Sequence, residues 1–158
     1  MDVSFVNDGK KFNYRVCAII IDNGRILAMH DERSPYYYLP GGRVKMGETA
    51  EDAVRREVLE ELEIDAQIER ALWLNQAFFN EDVDGIDYHE LCIYFLMNID
   101  GTGLTDRGEQ FVLKEGRHIH RFQWLPFEWL ENEYFYPLFI KKEIFHLPDM
   151  LVLRTERE

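Results

Sequence analysis

Apolar and polar residues alternate over much of the first quarter of the chain, which is the pattern of strands buried on one face. Strands are predicted at Phe12–Ile21 and Arg25–His30, with a short aromatic strand at Tyr36–Leu39. Tight turns are predicted at Asn7–Gly9 and Asp22–Gly24, where Asp or Asn stands next to Gly. The chain is therefore expected to begin with strands joined by short connections.

The spacing of apolar residues changes to a helical period after Thr49, and a helix is predicted over Ala50–Leu62. With 3.6 residues per turn, the apolar side chains of this segment fall within about 120° of Ala50 on the helical wheel. Thr49 can cap the helix, because Asp52 follows three residues later. The segment is consequently predicted to bury one face against the rest of the protein.

Later segments repeat the strand pattern and then change to a second helix. Strands are predicted at Ala71–Phe79, Tyr88–Ile99 and His118–Leu125. Thr102–Gly116 is expected to be irregular, Phe127–Leu130 to form a short helical turn, and Pro137–His146 to form a helix that Pro148 ends. Strands combined with two helices predict an α+β fold, and 158 residues without a linker predict a single domain over 1–158.

Composition and charge exclude several classes of protein. No apolar run approaches about 20 residues, so no membrane span is expected. The net charge of -12 argues against a duplex nucleic acid partner, because phosphates bind Lys and Arg. Residues 1–45 nevertheless hold seven Lys or Arg against five Asp or Glu, so an anionic ligand would find its cations there. Cys17 and Cys92 lie in apolar runs and predict buried free thiols in a reducing, cytoplasmic location.

Two carboxylates fall on the apolar side of the predicted helix. Glu57 and Glu61 lie within about 20° of Ala50, and Glu60 lies at the edge of the apolar arc. Inward carboxylates are costly unless something positive compensates them, and a hard divalent cation is the simplest compensation. A solvated helix with an Arg56–Glu60 ion pair is the alternative, but it leaves Glu57 and Glu61 unexplained.

The segment from Gly42 to Ile64 also resembles the Nudix box, a pattern of glycine, glutamate, arginine and aliphatic residues at fixed spacing. The matching residues are Gly42, Glu48, Arg56, Glu57, Val58, Glu60, Glu61 and Ile64. One position departs, because Glu63 stands where the family has a glycine that ends the helix. The resemblance implies an α/β/α sandwich with a mixed central sheet over most of the chain.

The resemblance further implies hydrolysis of a nucleoside diphosphate linked to another moiety, such as a nucleotide sugar, an ADP-ribose-like compound or a nucleoside triphosphate. It implies Mg²⁺ or Mn²⁺ as the cofactor, with Glu57, Glu60 and Glu61 as metal ligands. Arg56 would orient one of these carboxylates, and Glu48 would lie beside the metals. The expected partner is therefore a small molecule.

Other residues complete the implied site. Gly41 and Gly42 would let the backbone pass close to the helix and the phosphates. Family members often draw one more glutamate from a loop ahead of the last core strand, as a ligand or base. Glu115, Glu109 and Glu90 are the candidates, and Glu115 is favoured. His118 and His120 alternate along one predicted strand, where a structural role is expected.

Two other functions stay open at this point. One is a catalytically silent Nudix-like domain that binds a nucleotide or metabolite and regulates a partner. The other is a plain metal-binding module, since Asn80–Asp87 resembles a calcium loop with Asp82 at its third position. Leu91 occupies the twelfth place, where such a loop needs a bidentate Glu, so a hairpin loop is favoured instead. The sequence leaves the oligomeric state open, including a homodimer.

Overall fold

The computed structural model describes residues 1–81 and 84–158. Within them the chain forms ten strands, two helices and two 3-10 turns. The elements are β1 (Ser4–Asn7), β2 (Lys10–Ile19), β3 (Ile21–Asp22), β4 (Arg25–His30), β5 (Gly41–Arg43), α1 (Ala50–Leu62), β6 (Gln67–Asn80), β7 (Asp87–Asn98), a 3-10 turn (Leu104–Arg107), β8 (Gln110–Glu115), β9 (His118–Pro126), a 3-10 turn (Phe127–Asn132), α2 (Ile140–Glu143) and β10 (Val152–Arg157).

The larger of the two sheets is mixed and has the order β1-β2-β7-β6-β10, with β5 paired to β2. The pairs β2–β7 and β6–β10 are parallel, and the other pairs are antiparallel. The smaller sheet has the order β3-β4-β9-β8 and is antiparallel. The chain passes from the larger sheet to the smaller one between β2 and β3, and β4 then pairs with β3.

Successive residues of β2 face opposite layers, as expected for a central strand. Val16 and Ala18 pack into the core beneath α1, whereas Cys17 and Ile19 pack into a second core with Ile140 of α2. The large sheet is therefore covered on both faces. This arrangement confirms the α+β class and the sandwich with a mixed central sheet.

Helix α1 has the predicted bounds and the predicted N-cap. The Thr49 hydroxyl accepts a hydrogen bond of 3.0 Å from the Asp52 amide at the N-terminus. At the other end Glu63 adopts a left-handed conformation with φ 59°, and its amide donates to the Leu59 carbonyl at 2.9 Å. The glutamate that replaces the family's glycine thus takes the conformation that a glycine would favour, at a cost of about 1 kcal/mol.

Three predictions of local structure were wrong. Thr102–Gly116 is not irregular, because it contains a 3-10 turn and strand β8, whose residues alternate between half-buried and exposed. The helix predicted over Pro137–His146 is only one turn long, at Ile140–Glu143. Tyr36–Leu39 forms isolated bridges to Met29 and Phe135 instead of a regular strand.

The β6–β7 connection is a hairpin, because these strands pair antiparallel from Asn80 and Asp87 onward. Asp82, which the calcium-loop alternative needs, lies outside the described residues. Cys17 and Cys92 are free and buried, with their Sγ atoms 3.6 Å apart, as predicted. Across residues 1–81 and 84–158, no helix has the length and apolarity required to cross a bilayer.

Candidate active site

The start of the candidate site is the close packing of β5 against α1. Gly42 lies directly on the side chain of Glu57, and a Cβ atom at Gly42 would overlap the Glu57 carboxylate. A Cβ atom at Gly41 would overlap the carbonyl of Val16 on β2. The two glycines therefore allow the strand, the helix and the Glu57 carboxylate to come together.

Arg56 connects the loop before α1 to the acidic residues of the helix. Its Nε and Nη2 atoms donate to the two carboxylate oxygens of Glu48 at 2.8 and 3.0 Å. Its Nη1 atom donates to Glu57 at 2.9 Å and to Glu60 at 3.3 Å, and Nη2 also reaches the carbonyl of Arg43. The hydrogen bonds from Arg56 lower the pKa of Glu48 to about 2, so this carboxylate stays ionised.

Glu61 lies deeper than the other acidic residues of α1. It is 7% exposed, and its Oε1 atom accepts a 2.9 Å hydrogen bond from the Gly41 amide. Burial, followed by the nearby charge of Glu57, raises the pKa of Glu61 well above its ordinary value. Burial also raises the pKa of Glu57, despite its bond to Arg56. The inward pair predicted from the helical wheel thus consists of two desolvated carboxylates that repel each other.

Glu115 is the one of the three loop candidates whose charge acts on this pair. It ends β8, and its negative charge contributes to the raised pKa of both Glu57 and Glu61. Glu109 is exposed just before β8, and Glu90 lies on β7 in the floor of a neighbouring cavity. Glu115 stays the favoured candidate, because its charge raises the pKa of both carboxylates.

His120 holds the Glu115 carboxylate, and the sequence pattern did not indicate this contact. His120 is 4% exposed, and its Nε2 atom lies 3.2 Å from Glu115 Oε1. Its buried Nδ1 atom lies 4.0 Å from Asp31 and has no hydrogen-bond partner among the described residues. Asp31 is itself held by Arg33 and Tyr38 at 2.7 and 3.0 Å. The β8–β9 hairpin creates the contact, and β8 was predicted to be irregular.

The acidic residues fit a hard divalent cation by the type of their donor atoms. Glu57, Glu60 and Glu61 supply carboxylate oxygens, which Mg²⁺ and Mn²⁺ prefer. In the part of the chain that the structure describes, no group of three Asp, Glu, His or Cys side chains is arranged closely enough to hold a metal ion. Arg56 engages one carboxylate oxygen each of Glu57 and Glu60, so the second oxygen of each side chain is left for an ion.

A cavity of about 690 Å³ opens beside Glu57 and Gly42. Its floor is the face of the large sheet that carries Cys17 and Tyr94, and its lining combines aromatic side chains with charged and polar ones. Among the wall residues, Phe79 and Tyr88 stack with their ring centroids 5.2 Å apart. A cavity of this size accommodates a nucleotide-sized ligand next to the acidic residues of α1.

Comparison with known proteins identifies a family model and a relative with a similar sequence. A family model described as the NUDIX domain matches residues 11–144. The Low-salt glycan biosynthesis protein Agl8 of Haloferax volcanii is 35% identical over 101 residues, which are 61% of this chain and 65% of that protein. The chain therefore spans just under two thirds of the length of this relative.

Solved structures share the fold. A MutT protein from Bacillus halodurans superimposes with a TM-score of 0.61 at 16% identity, covering 92% of this chain and 89% of that one. An ADP-ribose pyrophosphatase from Streptococcus suis gives a TM-score of 0.57 at 15% identity, covering 90% of this chain and 98% of that one. At these identities the likeness concerns the fold alone.

Proposed function

The chain belongs to the Nudix family of hydrolases, and we propose that it uses Mg²⁺ or Mn²⁺ to cleave the phosphoanhydride of a nucleoside diphosphate linked to another moiety. The observation that carries this proposal is the pair of desolvated carboxylates, Glu57 and Glu61, beside a cavity of nucleotide size. Such a pair is unfavourable in isolation and becomes favourable with a divalent cation.

Glu57, Glu60 and Glu61 would hold the metal. A bound Mg²⁺ or Mn²⁺ polarises a phosphoryl oxygen and neutralises charge that develops on the phosphates. Arg56, paired with Glu48, would hold the backbone between β5 and α1 in place while the carboxylates bind. Gly41 and Gly42 would let the backbone of β5 pass close to the phosphates.

Hydrolysis forms a bond between a water oxygen and phosphorus, breaks the bridging P–O bond and releases a proton from the water. We assign Glu115 as the base that takes this proton, because its carboxylate is partly exposed and lies near Glu57 and Glu61. His120 would position Glu115 through the contact at its Nε2 atom. Two phosphate monoesters would then leave the cavity from a nucleotide sugar or an ADP-ribose-like compound, and a nucleoside monophosphate and pyrophosphate from a nucleoside triphosphate.

The moiety attached to the nucleoside diphosphate is suggested by the relatives. The Haloferax relative is named for glycan biosynthesis, and one structural neighbour is an ADP-ribose pyrophosphatase. Both names are compatible with a sugar attached to a nucleoside diphosphate. The buried free thiols, Cys17 and Cys92, support a reducing, cytoplasmic location for this reaction.

A catalytically silent domain that binds a nucleotide and regulates a partner is the second candidate. One observation favours it: Arg56 already engages Glu57 and Glu60, two of the three expected ligands. A turnover assay separates the two candidates, because a silent domain binds nucleotide without releasing products.

The decisive experiment is a substrate panel of nucleotide sugars, ADP-ribose, dinucleoside polyphosphates, dinucleotides and nucleoside triphosphates. Each is assayed with Mg²⁺ and then with Mn²⁺, and the phosphate products are identified. At least one member should be cleaved, and EDTA should abolish its cleavage. Full activity in EDTA would refute the metal-dependent mechanism, and no turnover with any member would favour the silent domain.

A further inference from the structure

Strand β10 forms one edge of the large sheet, and the chain enters it through exposed apolar residues. In the described part of the chain, no strand pairs with the outer side of β10. The four residues Met150–Leu153 are apolar, and each of them is exposed. The edge of a sheet presents unpaired N–H and C=O groups, which bind another strand unless the edge is blocked. An exposed apolar run at such an edge therefore indicates an interaction surface.

The backbone of β10 shows which groups this edge presents. The Glu158 amide donates to the Phe78 carbonyl on β6 at 3.0 Å, so Glu158 directs its backbone groups toward β6. Backbone groups of successive residues alternate between the two sides of a strand. Leu153, Thr155 and Arg157 consequently direct their N–H and C=O groups outward. A second strand can pair with these three residues without disturbing the ladder between β6 and β10.

The side chains on either side of Thr155 carry opposite charges. Arg154 and Glu156 are two residues apart, so they lie on the same face of the sheet. Their partners on β6 are Asn75 and Ala77. A two-fold axis through Thr155 would place Arg154 of each copy opposite Glu156 of the other copy. Opposite charges on directly facing residues stabilise a strand pair, and the symmetry creates this contact twice.

The contacts that Arg154 and Glu156 make within the chain leave atoms for this pairing. Arg154 Nη1 donates to Glu143 at 3.1 Å, and its guanidinium lies over the ring of Phe139. Glu156 Oε1 accepts from Asn75 Nδ2 at 2.7 Å. These hydrogen bonds use one terminal nitrogen of Arg154 and one oxygen of Glu156, so each side chain keeps a polar atom for a second partner.

The charges of β10 also select one register. A shift of the axis by one residue toward the N-terminus would place Arg154 opposite the same residue of the second copy. A shift by one residue toward the C-terminus would do the same with Glu156. Like charges that face each other directly are destabilising, so both neighbouring registers are disfavoured. The axis at Thr155 is the register in which the charges are complementary.

We propose that two copies of this chain associate by antiparallel pairing of their β10 strands across a two-fold axis at Thr155. The two large sheets would then form one continuous sheet. On the face opposite Arg154, Leu153 would lie beside Arg157 of the second copy, whose guanidinium already covers the ring of Phe78. The partner is a second copy and not an unrelated strand, because the complementarity of 154 and 156 arises from the symmetry itself.

Sedimentation equilibrium of the full chain over a series of protein concentrations tests the association. A dimer with a micromolar Kd is expected, because one short strand pair is a small interface. Thr155→Pro removes the outward N–H at the axis and no bond to β6, so it should raise this Kd by at least about tenfold. Thr155→Val is the matched control. It loses the hydroxyl that accepts from Gln76 at 3.2 Å but keeps the N–H, so its Kd should stay within about twofold of wild type.

A charge exchange tests the register. Arg154→Glu makes both positions acidic, and Glu156→Arg makes both basic. Each variant alone should therefore dimerise at least about tenfold more weakly than wild type. An equal mixture of the two should dimerise more tightly than either variant alone, because each acidic position then faces a basic one. Val6→Lys, at an exposed residue of the opposite edge strand β1, should leave the Kd unchanged.

Three outcomes would overturn the inference. The first is a wild-type chain that stays monomeric over the whole concentration series, which would leave the edge to a strand of another protein. The second is equal association of Thr155→Pro and Thr155→Val. The third is a mixture of the charge variants that associates no more tightly than each variant alone. If Arg154→Glu fails to fold without its contact to Glu143, the comparison of the two Thr155 variants decides.

Discussion

Glu48 and Arg56 form a two-point ion pair, with both carboxylate oxygens bound by the guanidinium at 2.8 and 3.0 Å. Their side chains are only 16% and 20% exposed, so solvent screens the pair less than an ordinary surface ion pair. The pair joins the loop that follows β5 to the middle of α1. It therefore contributes to stability as well as to the arrangement of the acidic residues.

The first prediction concerns the pH dependence of this contribution. The pKa of Glu48 is lowered from 4.5 to about 2 in the folded protein, so the stabilisation is present above 4.5 and is lost as pH falls toward 2. At neutral pH the free energy of unfolding of Glu48→Gln should be about 1–3 kcal/mol lower than that of wild type. This difference should shrink as the pH falls from 4.5 toward 2. Urea unfolding at a series of pH values measures it, with the exposed Glu51→Gln as control. A deficit independent of pH would contradict the assignment.

The second prediction concerns Glu61 without metal. Burial and Glu57 raise its pKa, so ionised Glu61 destabilises the fold above that pKa, and the penalty is relieved as pH falls toward 4.5. Glu61→Gln removes the charge and keeps an oxygen for the Gly41 amide. In EDTA at neutral pH the variant should be no less stable than wild type and should gain from a few tenths to about 1 kcal/mol. A variant that unfolds readily in urea would reveal a structural role for the charge.

The helix and its acidic face were predictable because their causes are local. The bounds of Ala50–Leu62 follow from apolar spacing and the Thr49 cap, and the inward position of half-buried Glu57 and buried Glu61 follows from the helical period. The end of the helix stayed open, because Glu63 replaces the glycine of the motif, and the structure shows that Glu63 takes the left-handed conformation.

The elements that were missed depend on distant partners. Strand β10 lies beside β6 although about 80 residues separate them, and its residues from Val152 onward are mostly exposed, so no alternation marks it. The cross-strand row of Arg15, Cys92, Asn75 and Arg154 needs the register of four strands from separate parts of the chain. The contact between His120 and Glu115 likewise needs the β8–β9 register, which a sequence pattern does not contain.

The third prediction concerns the proposed metal ligands. Glu57→Gln and Glu61→Gln should each lower kcat by at least about 10²-fold on the substrate found in the panel, because the loss of a metal ligand removes transition-state stabilisation. Glu63→Gly lies on the outer face and restores the residue of the family, so it serves as the control and should change activity little. Steady-state kinetics at saturating Mg²⁺ and substrate make the comparison. Comparable kcat in wild type and both glutamine variants would refute this site.

The last prediction separates His120 from His118, two histidines of the same strand. His120 is buried against Glu115, whereas His118 is partly exposed and lies 3.7 Å from Glu32. If His120 positions the base, His120→Gln should lower kcat by about tenfold or more with KM nearly unchanged, because positioning partners typically contribute this much. His118→Gln should leave both constants close to wild type.

A purely structural role for His120 predicts a different result. If the His120 ring only packs in the core, its loss should lower the thermal unfolding midpoint and the fraction of active protein. The kcat of the folded fraction should then stay unchanged. Active-site titration together with thermal unfolding distinguishes these cases. His120→Asn is the second variant, because its shorter amide cannot reach Glu115 Oε1 as the Nε2 atom does at 3.2 Å. A higher kcat in His120→Gln than in His120→Asn would identify the contact with Glu115 as the feature that matters.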